Sequence, residues 1–177
     1  MLYPLLTREQ IDFFEKNKEL DFAFSPDLNS RFRVNLHRQR GYVEAVLRSI
    51  PATTREFQAL GLPAETMQRF CQEKSGLILI AGTTGSGKTT TMMSMVDYIN
   101  RTQERVVVTV EDPIEYTLKS QKSIIKQREL GSDTGSYAEA LRRALRQDPD
   151  VICVGEILTG ECLIAAIRAA ETGHLVI

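Results

Sequence analysis

Gly82, Gly85 and Gly87 punctuate a run of small hydroxyl residues (Thr83, Thr84, Ser86) that ends in Lys88, Thr89 and Thr90. The spacing fits G-x-x-x-x-G-K-[ST], in which glycines let backbone N–H groups turn inward around an anion. A following helix adds the partial positive charge of its N-terminus. In this pattern Lys88 reaches the β- and γ-phosphates of a nucleoside triphosphate, and Thr89 sets its hydroxyl on Mg²⁺. The four apolar residues Leu77-Ile-Leu-Ile80 precede the loop as a buried strand would, and a helix-like run follows to Asn100.

Two acidic stretches lie downstream. Glu111-Asp-Pro-Ile-Glu115 holds three carboxylates within five positions at the end of the β-branched run Arg105 to Val110. Asp150-Val-Ile-Cys-Val-Gly-Glu156 is an apolar strand ending in Gly-Glu, the form of a Walker B strand whose terminal acid serves Mg²⁺ directly or through water. Ligands of parallel α/β sheets bind at the carboxyl ends of strands, so both stretches deliver acid to the rim that carries the glycine loop. His174 begins a last strand, and by itself reads more readily as a structural residue than as a participant.

The elements that position these residues follow from period and punctuation. Thr7-Arg-Glu-Gln10 is a capping box for a helix predicted to run to about Leu20, with Ile11, Phe14 and Lys18 on one face. Ser25 to Ser30 is a turn signal, Arg31 to Leu36 alternates strictly, Arg40-Gly41 marks a second turn, and Tyr42 to Ile50 is another strand. This meander closes at Pro51. Pro63 suits the first turn of a helix reaching Lys74, Ser136-Tyr-Ala-Glu139 is a second capping box, and Glu161 to Thr172 is a helix closed by Gly173. The resulting division is a small N-terminal α/β domain over 1–55, a linker and helix over 56–74, and an ATP-binding α/β core over 75–177. Arg33, Arg40 and Arg48 of the meander read either as a solvated polar face or as groups aimed at a phosphate.

With 42% apolar and 25% charged residues the chain has the make-up of a globular domain, and a net charge of −1 carries no nucleic-acid footprint. No apolar run reaches the length of a membrane span. Cys71, Cys153 and Cys162 lack metal-ligand spacing and suit a reducing compartment.

Together these stretches resemble the ATPases of type II and type IV secretion systems, in the branch that retracts type IV pili. The aspartate box is Glu111–Glu115, the Walker B box Asp150–Glu156, and Glu171-Thr-Gly-His174 is the start of a histidine box. Arg31-Phe-Arg-Val-Asn35, Gln39-Arg-Gly41 and Arg48-Ser-Ile-Pro51 also resemble the retraction branch. The resemblance implies a RecA-like P-loop NTPase core that hydrolyses ATP with Mg²⁺, with Glu115 activating the water, Glu156 and Thr89 serving the metal, and His174 sensing the nucleotide. It implies that Arg33, Arg40 and Arg48 act on nucleotide. It also implies a homo-hexamer in the cytoplasm, peripheral to the inner membrane, docked on a platform protein of the pilus machine. The family usually has Arg-Asp where this chain has Leu158-Thr159, and it continues past the histidine box, so the resemblance implies a core and an N-terminal domain that are incomplete here. Two alternatives stay open: a type II secretion or pilus-assembly ATPase, and a nucleotide-binding remnant that does not hydrolyse.

Overall fold

The structure, a computed structural model, describes residues 3–27, 30–50 and 53–177. The turn expected at Leu28 and Asn29 and the end of the meander at Pro51 lie outside these residues. The chain divides into two compact units after residue 52.

In the first unit, α1 (Arg8–Asn17) is followed by β1 (Glu19–Phe24), β2 (Arg31–Gln39) and β3 (Tyr42–Ile50), an antiparallel sheet in the order β1-β2-β3. Thr7 and Gln10 form the full reciprocal capping box. The helix stops three residues short of the expected Leu20, because Lys18 takes a left-handed conformation (φ 67°) and releases the chain into β1. Strict alternation sends Val34 and Leu36 inward with Phe22 against Phe14 of α1. Arg40 (φ 51°) and Gly41 (φ 86°) form the two-residue turn between paired Gln39 and Tyr42. Positive φ at both positions matches the twist of the flanking strands.

The second unit is a five-stranded parallel sheet in the order β4-β8-β7-β5-β6, built from β4 (Gly76–Leu77), β5 (Val106–Glu111), β6 (Ile124–Glu129), β7 (Val151–Val154) and β8 (Leu175–Val176). Its strands carry apolar residues on both faces, as a sheet covered on both sides requires. Val107, Val151, Cys153 and Leu175 face Met92, Met93, Met95, Val96 and Ile99 of α3 (Lys88–Thr102). Val108, Val110, Ile152, Val154 and Val176 face α4 (Tyr137–Ala144) and α5 (Gly160–Glu171). Small residues let those two helices sit close: Ala138, Ala140, Ala144, Ala166 and Ala169 are all buried. Residues 56–74, read from the sequence as a linker and helix, pack into this unit: Phe57 and α2 (Ala64–Gln72), through Met67 and Cys71, join the core on the α3 side.

Two local expectations are corrected. At α4 only half of the capping box forms: Ser136 accepts from the Glu139 amide, while the Glu139 carboxylate turns to Arg143 at 2.6 Å. β6 has no counterpart in the sequence reading. It is an edge strand whose outer half, Lys126-Gln-Arg-Glu129, is polar and hides its period.

Ile99 is fully buried where α3 meets the sheet, so truncation leaves a cavity that packed neighbours cannot refill. Ile99→Ala is expected to cost about 2–5 kcal/mol in chemical denaturation. A loss below about 1 kcal/mol would contradict the packing described.

Candidate functional site

The glycine loop hangs between β4 and α3. The Ile78 amide donates to the Val176 carbonyl at 2.8 Å, the last ladder bond before the chain leaves the sheet. Gly85 (φ 78°) and Gly87 (φ 96°) then take left-handed conformations, which a side chain would strain. The Ser86 amide closes the loop on the Thr83 carbonyl at 3.2 Å. Thr83, Thr84 and Ser86 are exposed, and Lys88, Thr89 and Thr90 are half-buried in the first turn of α3.

Three other helix starts are closed by hydroxyls, Thr7 on α1, Ser136 on α4 and Thr159 on α5, while α2 starts at Pro63, which has no side-chain acceptor to offer. α3, the longest helix described, starts at Gly87 with no side-chain cap. Its first-turn N–H groups have no intrahelical acceptor, and they carry the positive end of the helix dipole. The Lys88 ammonium donates to the Gly82 carbonyl at 3.0 Å and the Thr83 carbonyl at 2.9 Å, folding back over the loop it belongs to.

β7 brings the second component. Its end lies beside β5 in register (Val110 opposite Val154), and the Gly155 amide donates to Val110 at 2.8 Å. A Cβ at Gly155 would stand 3.2 Å from the Val110 carbonyl oxygen, 3.3 Å from the Tyr137 hydroxyl and 3.4 Å from Glu111 Cα, so glycine is what lets the strand ends close up. A cavity of about 550 Å³ is lined by Gly82, Lys88 and Thr89 from the loop side and by Gly155, Glu156 and Leu158 from the β7 side. Leu158 therefore puts an apolar group on this wall. The neighbouring replacement changes less, because Thr159 caps α5 through the Cys162 amide (3.2 Å), a task Asp performs equally well.

β5 ends in Glu111, only 2% exposed. Its Oε1 accepts from the Thr109 hydroxyl at 2.7 Å and from Gln127 Nε2 at 3.0 Å, while Oε2 has no partner. Burial pushes this carboxyl above the usual range, hydrogen bonding by Thr109, Gln127 and the Glu115 backbone pulls it back, and the charge of Glu115 adds to the rise. The Asp112–Pro113 peptide is cis. Glu115 is half-buried on the loop that follows, near enough for its charge to reach Glu111, but it does not line the cavity with Lys88 and Glu156. Tyr137, from the start of α4, has its hydroxyl pushed up by burial and by the charges of Glu156 and Asp112.

The structure does not bring His174 to this rim. His174 precedes β8, and its carbonyl accepts from the Gly76 amide at the start of β4, the end of the sheet opposite the glycine loop. Its Nδ1 sits 2.9 Å from the Ala169 carbonyl and 3.2 Å from the Thr172 hydroxyl, which ties the ring to the end of α5. The meander arginines belong to the first unit. Arg33 and Arg48 lie directly opposite each other on β2 and β3, and Arg40 is exposed in the turn. Two like charges facing across a sheet repel, and both lie on the face away from Val34 and Leu36.

Thr89 and Glu156 supply one hydroxyl and one carboxylate to a shared cavity, a donor set that fits Mg²⁺, which keeps its waters and leans on substrate phosphates. Among the described residues no three His, Cys, Asp or Glu side chains form a closed metal cage.

A glycine loop between a parallel strand and an uncapped helix, with an acid arriving from β7 two places along the sheet, defines a P-loop α/β protein of the RecA-like kind. Residues 16–177 match the family described as Type II/IV secretion system protein, and the chain belongs to that family. It is 43% identical over 176 residues to the type IV pilus retraction ATPase PilT of Pseudomonas aeruginosa, covering 99% of this chain and 51% of that protein. It is 44% identical to a twitching motility protein of Neisseria gonorrhoeae, over 99% of this chain and 47% of that one. The crystal structure of the pilus retraction motor PilT with bound ADP superposes with a TM-score of 0.94 at 52% identity, over 98% of this chain and 50% of that chain. The chain thus spans about half the length of these relatives.

The raised Glu111 carboxyl makes a pH prediction. The folded chain keeps that proton to higher pH than the unfolded chain, so stability is full below the ordinary carboxylate range and falls as pH rises toward the folded value. Glu111→Gln removes this dependence. In denaturation at a series of pH values, its stability relative to wild type should improve from about pH 4 upward, by at most about 1.4 kcal/mol per pH unit. A pH-independent difference would contradict the assignment.

Proposed function

We propose that this chain is the nucleotide-binding part of a Mg²⁺-dependent ATPase that powers type IV pilus retraction. The observation that carries the reading is the cavity shared by Lys88, Thr89 and Glu156 at the start of the uncapped α3. The first-turn amides and Lys88 hold the phosphates, with Lys88 exchanging its two loop carbonyls for phosphate oxygens. Thr89 and Glu156 hold the metal, which when bound neutralises the charge gathering on the γ-phosphate. Glu115 orients and activates the water that attacks in line, giving ADP and inorganic phosphate. Arg33, Arg40 and Arg48 are assigned a phosphate-contacting role, and for Arg33 and Arg48, which face each other, an anion would relieve their mutual repulsion. We assign His174 no contact with the nucleotide within this chain. The retraction role, a homo-hexamer, a platform protein at the inner membrane and a cytoplasmic, membrane-peripheral location are proposed from the similarity to PilT.

A second reading, binding without turnover, is favoured by one observation: the apolar Leu158 lines the cavity wall, where the family resemblance implies an arginine. Phosphate release by the full-length protein, with Mg²⁺ and with a chelator, separates the two. Metal-dependent release supports the ATPase, whereas nucleotide binding with no release supports the second reading. Lys88→Ala is expected to abolish turnover, and Glu115→Gln to keep nucleotide binding while losing most hydrolysis. Equal hydrolysis by wild type and Glu115→Gln would refute the role given to Glu115.

A further inference from the structure

The loop carrying Glu115 is tied down by side chains of β6. On the face of β5 and β6 that meets α3, the paired residues Val107 and Ile125 are apolar. The next pairs on the same face are polar: Thr109 with Gln127, then Glu111 with Glu129. Loop 112–118 folds back toward this polar half. The Ile114 amide donates to Glu129 Oε2 at 3.0 Å, Gln127 Nε2 donates to the Tyr116 carbonyl at 2.7 Å, and the Leu118 amide donates to Gln127 Oε1 at 2.7 Å. Three alternate residues are thus bonded as a sixth strand would bond them, except that the partners are side chains. Glu115 lies between two of the tethers. The second N–H of Gln127 goes to Glu111 Oε1, so its amide group links the buried acid below to the loop above.

From this geometry we propose that Gln127, assisted by Glu129, is a positioning residue for Glu115. Gln127 fixes the chain just after the catalytic carboxylate and Glu129 the residue just before it, neither touching nucleotide. The proposal rests on the assignment of Glu115 made above. Its physical reason is that catalysis requires a base held to within a fraction of an ångström, and exposed loops do not supply that order by themselves.

The test uses the full-length protein and four readings: kcat for ATP, Kd for a fluorescent ADP, amide exchange of Leu118, and epistasis with Glu115→Gln. Gln127→Met keeps the side chain's length and removes all three bonds. It is expected to lower kcat about 10- to 100-fold, leave the ADP Kd within about twofold, and speed exchange at Leu118. In the Glu115→Gln background it should cost nothing further, since a residue that acts through another is not additive with it. A second pair guards against a variant that does not fold: Glu129→Gln keeps an acceptor for the Ile114 amide and should retain most of the rate, while Glu129→Met should not.

A wild-type rate in Gln127→Met beside a slow Glu115→Gln overturns the positioning role alone. So does a loss that multiplies in the double variant, or equal rates in the two Glu129 variants. A wild-type rate in Glu115→Gln overturns the assignment of Glu115 itself, and the positioning role with it.

Discussion

A phosphate loop must aim several backbone N–H groups at one point, and this constraint governs the second unit. The donors are left without protein acceptors, so the chain has to hold them in place by other means. Gly85 and Gly87 supply conformations that side chains would strain, and Gly87 stands where three other helices carry a capping hydroxyl. What holds the loop is behind it: the Ile78–Val176 bond on one side, and the burial of Met92, Met93, Met95, Val96 and Ile99 along α3 on the other.

Acids then have to be delivered to a region already bordered by other acids. Parallel pairing of β5 and β7 brings Glu111, Asp112 and Glu156 to one rim, and Gly155 allows the approach. The fold separates these charges by environment. Glu156 is exposed at the cavity, where a metal and phosphates can balance it. Glu111 is buried beneath, its charge disfavoured and partly compensated by Thr109 and Gln127. Glu115 stands between these extremes, on a loop tethered at Ile114, Tyr116 and Leu118.

Much of this was legible in the sequence because it rests on local chemistry. The glycine spacing and the acid after β7 follow from residue type and order, whereas the apolar run Leu77–Ile80 is strand only at its start (β4, Gly76–Leu77) and leaves Leu79 63% exposed. The strict alternation of β2 likewise announces its inward Val34 and Leu36. What escaped depends on tertiary partners. β6 was hidden because its polar side chains bond a loop rather than solvent, so Gln127 and Glu129 looked like ordinary surface residues. The end of α1 escaped because Lys18 adopts a left-handed conformation that lysine seldom takes. His174 fits the histidine box in sequence, yet the parallel crossover of α5 returns the chain to the far end of the sheet before β8 begins.

The central claim is that Lys88 and the start of α3 receive a triphosphate. The most direct measurement is a crystal structure of the full-length protein with Mg²⁺ and a non-hydrolysable ATP analogue. The account predicts Lys88 Nζ withdrawn from the Gly82 and Thr83 carbonyls and about 3 Å from phosphate oxygens, with Glu156 turned to the metal. Lys88 still bonded to those carbonyls, with the phosphates bound elsewhere, would contradict it.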